Sequence, residues 1–553
     1  MSDSASPAPS TPPSAASGKS KMAQTALLLS LATLFSRVLG LVREQVFAAL
    51  LGAGFFGDAF TIAFRLPNLL RDLFAEGALS AAFQPAFQAA RKQEGHAAAQ
   101  RLAQLVATCL IVVVGLITLL GVWFSPEMVG HWAQGFASTP GKAELTVLLT
   151  RIMMPFLLLV SLAALAMGML NAEQRFTPPA LAPALFNLAT VATGLGLWFV
   201  GIGRSKTAAV AWAVATLCGG GLQLGLQLVP LWRSGYRFRL AWDLSDPRLK
   251  AVLWAMAPAT IGLMATQVNI YISSRFASTE PGAASWLYYA FRLLQMPIGM
   301  FGVAVGTVAL QRAADAVSEA DFRVAMDGVR DTLHRGLRLV TFYSLPTAVA
   351  FFVLAEPIIA IIYQRGAFSA EDTVATAEAL KYYSLGLLFY SAVKVVVPIF
   401  YSLKLARFAV MSTVLTVTGS VLVNLFLHPR FGFRILALST SIGAAINFLF
   451  LVVVFRARYG QLFSQTLQLG LLRMLVASVA MGAVLWILTP LLLGDAAHAA
   501  AYSQGPQHVS LLRALLGFSV LCGIGGGSYA FLGWLFRLEE VDHVLSAVRR
   551  RIR

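Results

Sequence analysis

Residues 58–76 read DAFTIAFRLPNLLRDLFAE, and this stretch decides the fold. Asp58, Thr61, Arg65, Asn68, Asp72 and Glu76 follow one another at steps of three or four residues. On a helix these six side chains fall within an arc of roughly 80° and rise through roughly 27 Å. That is close to the roughly 30 Å of a bilayer's hydrocarbon layer. The remaining positions are mostly Ala, Phe, Ile and Leu. Such a helix is apolar around most of its circumference, and its one polar stripe must face protein or water rather than lipid. Pro67 predicts a kink within it. Arg71 stands at the edge of the stripe, and Ser80 and Gln84 prolong it.

The rest of the chain agrees with a membrane-embedded bundle. Of 553 residues, 58% are hydrophobic and 12% charged, against about 25% charged in a soluble domain. Apolar runs long enough to cross a bilayer recur fourteen times, near 25–51, 57–90, 98–125, 144–172, 178–202, 207–232, 248–277, 283–311, 332–354, 375–403, 407–428, 434–456, 466–492 and 509–536. The expected class is all-α and polytopic.

The formal charge of +17 does not indicate a nucleic-acid partner, because most Lys and Arg lie in short connections. Connections 91–101, 233–250, 312–338, 404–407, 456–458 and the tail 537–553 are cation-rich, whereas 52–56, 126–143, 278–282 and 493–508 are poor. This alternation predicts that both termini are cytoplasmic. Cys109, Cys218 and Cys522 lie far apart in apolar runs and imply neither disulfide nor metal site. Residues 1–22 read as a disordered tail, and the run after Lys19 and Lys21 as a retained first helix. Segment 313–331 mixes acids and arginines with Val317, Phe322, Val324 and Val329, as an amphipathic surface helix would.

An internal echo suggests a repeat. Ala63-Phe64-Arg65-Leu66 in the second span recurs as Ala290-Phe291-Arg292-Leu293 in the eighth, each followed by a proline, Pro67 and Pro297. Two parallel six-helix units follow, a transporter plan. The expected organisation is a first lobe over 23–240, a second over 241–460, and two appended helices with a basic tail over 461–553.

Three spans carry the candidate chemistry. In the first, Thr33, Ser36, Gly40 and Arg43 form one polar or small face with Arg37 beside it. Arginine this far inside a span costs several kcal/mol (about 2.5–3.5 on insertion scales) unless paired or hydrated. In the eighth, Ser285, Tyr288, Arg292, Gln295, Gly299, Gly302 and Gly306 share a face, the glycines permitting close helix approach. Arginines 37, 43, 65, 71 and 292 together suit a phosphate or diphosphate, whose oxygens a guanidinium holds bidentately. Asp58 and Asp72 can each pair with Arg65. Arg151, Arg275, Lys381 and Arg473 read as interfacial, and Lys394 as lining the second half of the path. No phosphate-binding loop, nucleophile elbow or zinc-protease motif occurs, so a transporter without a cofactor or metal is expected rather than an enzyme.

The stretch Phe35-Ser36-Arg37-Val38-Leu39-Gly40-Leu41-Val42-Arg43-Glu44 resembles the opening of the MurJ (MviN) family of lipid II flippases in the MOP exporter superfamily. Asp58-Ala59-Phe60, Arg65-Leu66-Pro67-Asn68-Leu69-Leu70-Arg71 and Phe74-Ala75-Glu76-Gly77-Ala78 carry the same likeness, as do Ser285 to Ala290 and Gly302 to Thr307. The resemblance implies two six-helix lobes around a central cavity, with the last two helices forming a groove. It implies a bacterial inner-membrane protein of peptidoglycan synthesis that flips undecaprenyl-diphosphate-linked disaccharide-pentapeptide, alongside the cell-wall synthesis machinery. It makes Arg37, Arg43 and Arg292 diphosphate contacts, with Asp58, Asn68, Arg71, Glu76 and Ser285 as cavity or gate positions. Ser36, Asp72 and Gln295 join them as supports. This chain departs by having Phe291 before Arg292, Gln295 where an acid is common, and no carboxylate from Gln267 to Ser274. Membrane potential rather than a sodium site is therefore expected to drive transport. Two rival readings are an exporter of another polyprenyl-diphosphate-linked oligosaccharide and a cation-coupled multidrug exporter, which would favour an acidic or aromatic cavity.

Overall fold

The computed structural model describes residues 15–71, 78–319, 321–462, 464–494, 511–542 and 546, and among them there is helix and connection but no strand. The first half contains α1 (Ala15–Leu51), α2 (Phe55–Arg71), α3 (Ala78–Glu94), α4 (His96–Trp123), the short α5 (Ser125–Trp132), α6 (Lys142–Met153), α7 (Phe156–Ala172), α8 (Thr177–Phe199) and α9 (Lys206–Arg233). The second contains α10 (Pro247–Ala277), α11 (Ala283–Pro297), α12 (Ala304–Val317), α13 (Phe322–Val353), the short α14 (Ala355–Tyr363), α15 (Ala370–Ser384), α16 (Leu387–Ser402), α17 (Ala406–Phe431) and α18 (Phe433–Tyr459). Helices α19 (Gln465–Leu493) and α20 (Leu511–Leu535) complete the bundle.

Among the described residues, ten helices are long and apolar enough to cross a membrane, or eleven with the pair α15 and α16, which bends by 44°. The other three predicted spans, the first, second and seventh, are also helical where they are described. The first starts earlier than expected: α1 begins at Ala15, inside the predicted tail, while residues 1–14 lie outside the described residues. The second is described as α2 and α3, and residues 72–77 between them also lie outside the described residues. The eighth is divided by a π-helical turn, Ile298–Val303, directly after Pro297. A proline cannot donate its backbone N–H, and such wide turns accommodate the missing bond.

The two halves repeat their packing. In the first, α1 lies against α8, α8 against α9, α7 against α9 and α2 against α6. In the second, α10 lies against α17, α17 against α18, α16 against α18 and α11 against α15. These are the same pairs shifted by six spans, which is the physical content of the four-residue echo. The glycine face of the eighth span serves close approach as expected. A Cβ on Gly306 would stand 2.2 Å from the Lys394 carbonyl oxygen, and one on Gly302 would stand 3.1 Å from Ser391 Cα.

Helix α19 packs on α13, and α20 on α19. Tyr529 donates its hydroxyl to the Phe342 carbonyl at 3.0 Å, and Arg338 pairs with Glu540 at 2.7 Å and Glu539 at 3.0 Å. The predicted amphipathic segment 313–331 is not one helix: 313–317 end α12, and the part from Phe322 on is the start of α13. There Asp321 caps the helix by accepting from the Arg323 and Val324 amides. Ala325, Met326 and Val329 are buried while Phe322 and Val324 remain exposed.

Candidate functional site

A cavity of about 410 Å³ opens between the halves. Helix α1 contributes Arg37, Arg43 and Glu44, α2 contributes Arg71, and α11 contributes Arg292 and Gln295, with Asn187 of α8 and Gln223 of α9 completing the polar wall. Four arginines thus stand with one carboxylate among the described lining residues, so the wall is predominantly cationic. The volume falls within the about 300–1,000 Å³ of small-molecule sites.

Glu44 organises the arginines. It is buried, forms an ion pair with Arg43, and lies 3.5 Å from Arg292 Nε. The Tyr288 hydroxyl donates to the same carboxylate oxygen at 3.0 Å and accepts from Arg292 Nε at 3.3 Å. One acid from the first half therefore orients guanidiniums from both halves. Arg43 also lies over the Phe186 ring at 5.3 Å. Arg37 does not turn back along α1. Its Nη2 is 3.5 Å from where a Cβ on Gly299 would stand, so it reaches across to the eighth span at a position without a side chain. Ser36 contributes its carbonyl, which accepts from Asn187 Nδ2 at 3.1 Å and ties α1 to α8.

At the cation-poor end the halves meet in a seam built around Asp58, whose exposure is 0%. Its Oδ2 accepts from Lys142 Nζ at 2.8 Å and from the Gly282 amide at 2.7 Å. Its Oδ1 accepts from the Ser285 amide at 3.0 Å and the Ser285 hydroxyl at 2.7 Å. Gly282, at φ 92°, precedes α11 in a backbone conformation that favours glycine and turns the helix's free amides onto the carboxylate. Lys142 is itself buried and lies over the Phe136 ring at 4.2 Å. Nearby, the Ala367 amide donates to the Ala49 carbonyl at 2.8 Å, and the Gly135 amide to the Ser278 hydroxyl at 3.1 Å.

Several expectations are corrected by this geometry. Arg65 does not join the cavity, because its Nη1 donates to Ser274 Oγ of α10 at 2.5 Å. Asp58 pairs with Lys142 rather than Arg65. Ser285 is fully buried on Asp58 and lies outside the cavity lining. Asn68 is part-buried and lies outside the lining, and the exposed Lys394 does so too. Asp72 and Glu76 fall outside the described residues. Glu44 and Lys142 were missed. Glu44 adjoins Arg43 in sequence, and Lys142 is the single lysine of the cation-poor connection 126–143.

The comparisons agree with this architecture. Residues 47–496 match the family model described as lipid II flippase MurJ. A probable lipid II flippase MurJ of Rhizobium meliloti is 33% identical over 91% of this chain and 94% of its own length. The lipid II flippase MurJ of Burkholderia cenocepacia is 35% identical over 77% and 82%. In fold, the chain resembles a lipid II flippase MurJ solved in an inward closed conformation, with a TM-score of 0.75 and 22% identity over 93% of this chain and all of that one. An inward-facing multidrug-resistance MATE transporter of the MOP superfamily follows at a TM-score of 0.60 and 15% identity, covering 79% of this chain and 98% of that one. With a family model covering most of its length and relatives a third identical over nearly all of it, the chain belongs to the MurJ family of lipid II flippases.

Proposed function

We propose that this protein carries lipid II, the undecaprenyl-diphosphate-linked disaccharide-pentapeptide, from the inner to the outer leaflet of a bacterial inner membrane by alternating access. The observation that carries the reading is the cationic cavity, where guanidiniums of Arg37, Arg43, Arg71 and Arg292 converge with one carboxylate among the described lining residues. A diphosphate supplies the missing negative charge, and planar guanidiniums match its oxygens. A drug exporter of cations would bind poorly against this surplus.

The cation-rich end faces the cytoplasm, both termini included. The closed seam at Asp58 then lies outside, and the cavity receives its ligand from within. Export follows as the halves rock about the site, breaking the three bonds from Gly282 and Ser285 while the cation-rich side closes. A diphosphate leaving a negative-inside cell gains about 2.3 kcal/mol per full charge per 100 mV. The stretch from Gln267 to Ser274 offers neutral Gln, Asn and Ser side chains and no carboxylate, which does not fit a sodium site. The product is consumed by cell-wall synthesis on the outer face, with which the protein associates.

The test is complementation of cells depleted of their own flippase, with labelled precursor assayed on the outer face. Arg37→Ala and Arg292→Ala should each abolish export while the protein still folds, and Arg292→Lys should restore only part of it. Normal export by both alanine variants would overturn the proposal.

A further inference from the structure

The connection between the two halves carries an unexplained surface. Residues 237–246 form no helix, and alternate positions present large apolar side chains outward: Phe238 is 37% exposed, Leu240 78%, Trp242 59% and Leu244 50%. The intervening Arg237 and Arg239 are also exposed, whereas Ala241 is buried. In a water-soluble setting this would be an apolar patch without a partner.

Its position on α4 identifies the partner. Gln100, Gln104 and Thr108 stand four residues apart and form one stripe on that helix. Gln104 Nε2 donates to the Arg237 carbonyl at 2.7 Å, with Gln100 Nε2 at 3.5 Å, and Thr108 Oγ1 accepts from the Ala241 amide at 2.9 Å. Between these two anchors the connection climbs roughly 6 Å along α4. It then descends again, because Asp246 caps α10 and Arg248 pairs with Glu94 at 2.9 Å, at the cation-rich end of α3. The apex lies at Ala241 and Trp242.

The depth of that apex can be read from α4 itself. Trp123, 77% exposed, ends the helix and marks one interface. A hydrocarbon layer of about 30 Å extends about 20 residues back from it, to near residue 103. Gln104 therefore lies at the boundary and Thr108 inside it, on a helix whose Leu116 and Leu119 face outward to lipid. Irregular backbone at such a depth is tolerated only where its polar groups are satisfied by protein, and that is what the side chains of Gln104 and Thr108 do.

We propose that residues 237–244 are seated in the membrane leaflet at the cation-rich end. Phe238, Leu240, Trp242 and Leu244 lie among phospholipid acyl chains, Arg237 and Arg239 lie at the phosphates, and Gln104 and Thr108 hold the apex down. The connection between the halves is thus a lipid-contacting element rather than an aqueous loop. This is independent of what crosses the cavity.

The experiment uses the full-length protein in phospholipid nanodiscs. Cys109, Cys218 and Cys522 are replaced by serine, and a nitroxide is attached singly through Leu240→Cys, Trp242→Cys or Asp243→Cys. Collision with oxygen, which partitions into acyl chains, is compared with collision with a water-soluble nickel complex. Labels at 240 and 242 should meet oxygen several-fold more than nickel, with the label at 243 shifted towards nickel. A preference for nickel at 240 and 242 would overturn the proposal, because the connection would lie in water. Protection from both reagents would also overturn it, because another protein surface would cover the patch. In Gln104→Leu with Thr108→Val, the labels at 240 and 242 should move towards nickel, and an unchanged depth would overturn the anchoring.

Discussion

The seam and the cavity each centre on one carboxylate from the first half, and they treat it in opposite ways. Asp58 is fully buried and accepts four hydrogen bonds, with one lysine cancelling its charge. Glu44 meets two arginines and a tyrosine hydroxyl in a wall that carries further cations. The seam is closed in charge as well as in shape, and no ligand has anything to add there. The cavity sets four arginines against one carboxylate among its described lining residues, which is the imbalance the proposed anionic ligand would meet. Both sites use charged groups inside a membrane, so charge alone does not mark a binding site.

The largest test of this contrast removes the counter-ion of the seam. Breaking a buried ion pair at one partner costs about 3–5 kcal/mol, so Lys142→Met should lower the thermal unfolding midpoint more than any other change considered. Adding Asp58→Asn should recover most of the loss, because no unpaired charge then remains. If the double variant is as unstable as the single, charge balance is not what Lys142 supplies. Next in size is Ser285→Ala, which removes one hydrogen bond to a charged acceptor, worth about 1.5–3 kcal/mol. Amide exchange at Gly282 and Ser285 should accelerate as the seam loosens, and unchanged exchange would separate Ser285 from the closure. At the cavity, Glu44→Gln should cost less, about 1 kcal/mol, because Arg292 is 38% exposed and partly solvated. The same variant should bind inorganic pyrophosphate more tightly by calorimetry, since the cationic surplus grows. A weaker binder would mean that Glu44 orients the arginines more than it opposes the ligand.

These two sites also mark how far the residues could be read before the fold was known. Arg37, Arg43, Arg71 and Arg292 were legible as a cluster, because each stands where a span should be apolar and helical spacing puts its polar face inward. Periodicity names the face of a helix but not its neighbour at each turn. Periodicity alone makes the stripe of the second span one wall, whereas Asp58 meets Lys142, Gly282 and Ser285, Arg65 turns to Ser274, and among its described residues Arg71 is the one that reaches the cavity. Glu44 was hidden because adjacent residues point about 100° apart on a helix, so its sharing of Arg43 and Arg292 required tertiary packing. Lys142 lay in a connection, where sequence offers no periodicity to place a side chain.

The smallest effect concerns a third carboxylate, which isolates what burial adds. Asp246 resembles Asp58 in capping a helix N-terminus beside a cation. It accepts from the Arg248 amide at 2.8 Å and from Arg248 Nη2 at 2.8 Å, but its partner cation is part-exposed at the end of the connection, whereas Lys142 is buried in the seam. The Arg248 side-chain hydrogen bonds hold its carboxyl down at about 2, below the ordinary 3.8. A depressed folded-state value means that the stabilisation is fully present above the unfolded value and disappears as pH falls through about 2. Asparagine keeps the cap and removes only the charge, so Asp246→Asn should cost less than about 1 kcal/mol at neutral pH. Unfolding midpoints of the variant and the parent in detergent should converge as pH is lowered from 4 towards 2. A gap that persists at the lowest pH would place the contribution of Asp246 in its geometry. A neutral-pH loss as large as that of Lys142→Met would show that the seam's isolation from water is not what makes its charge pair costly to break.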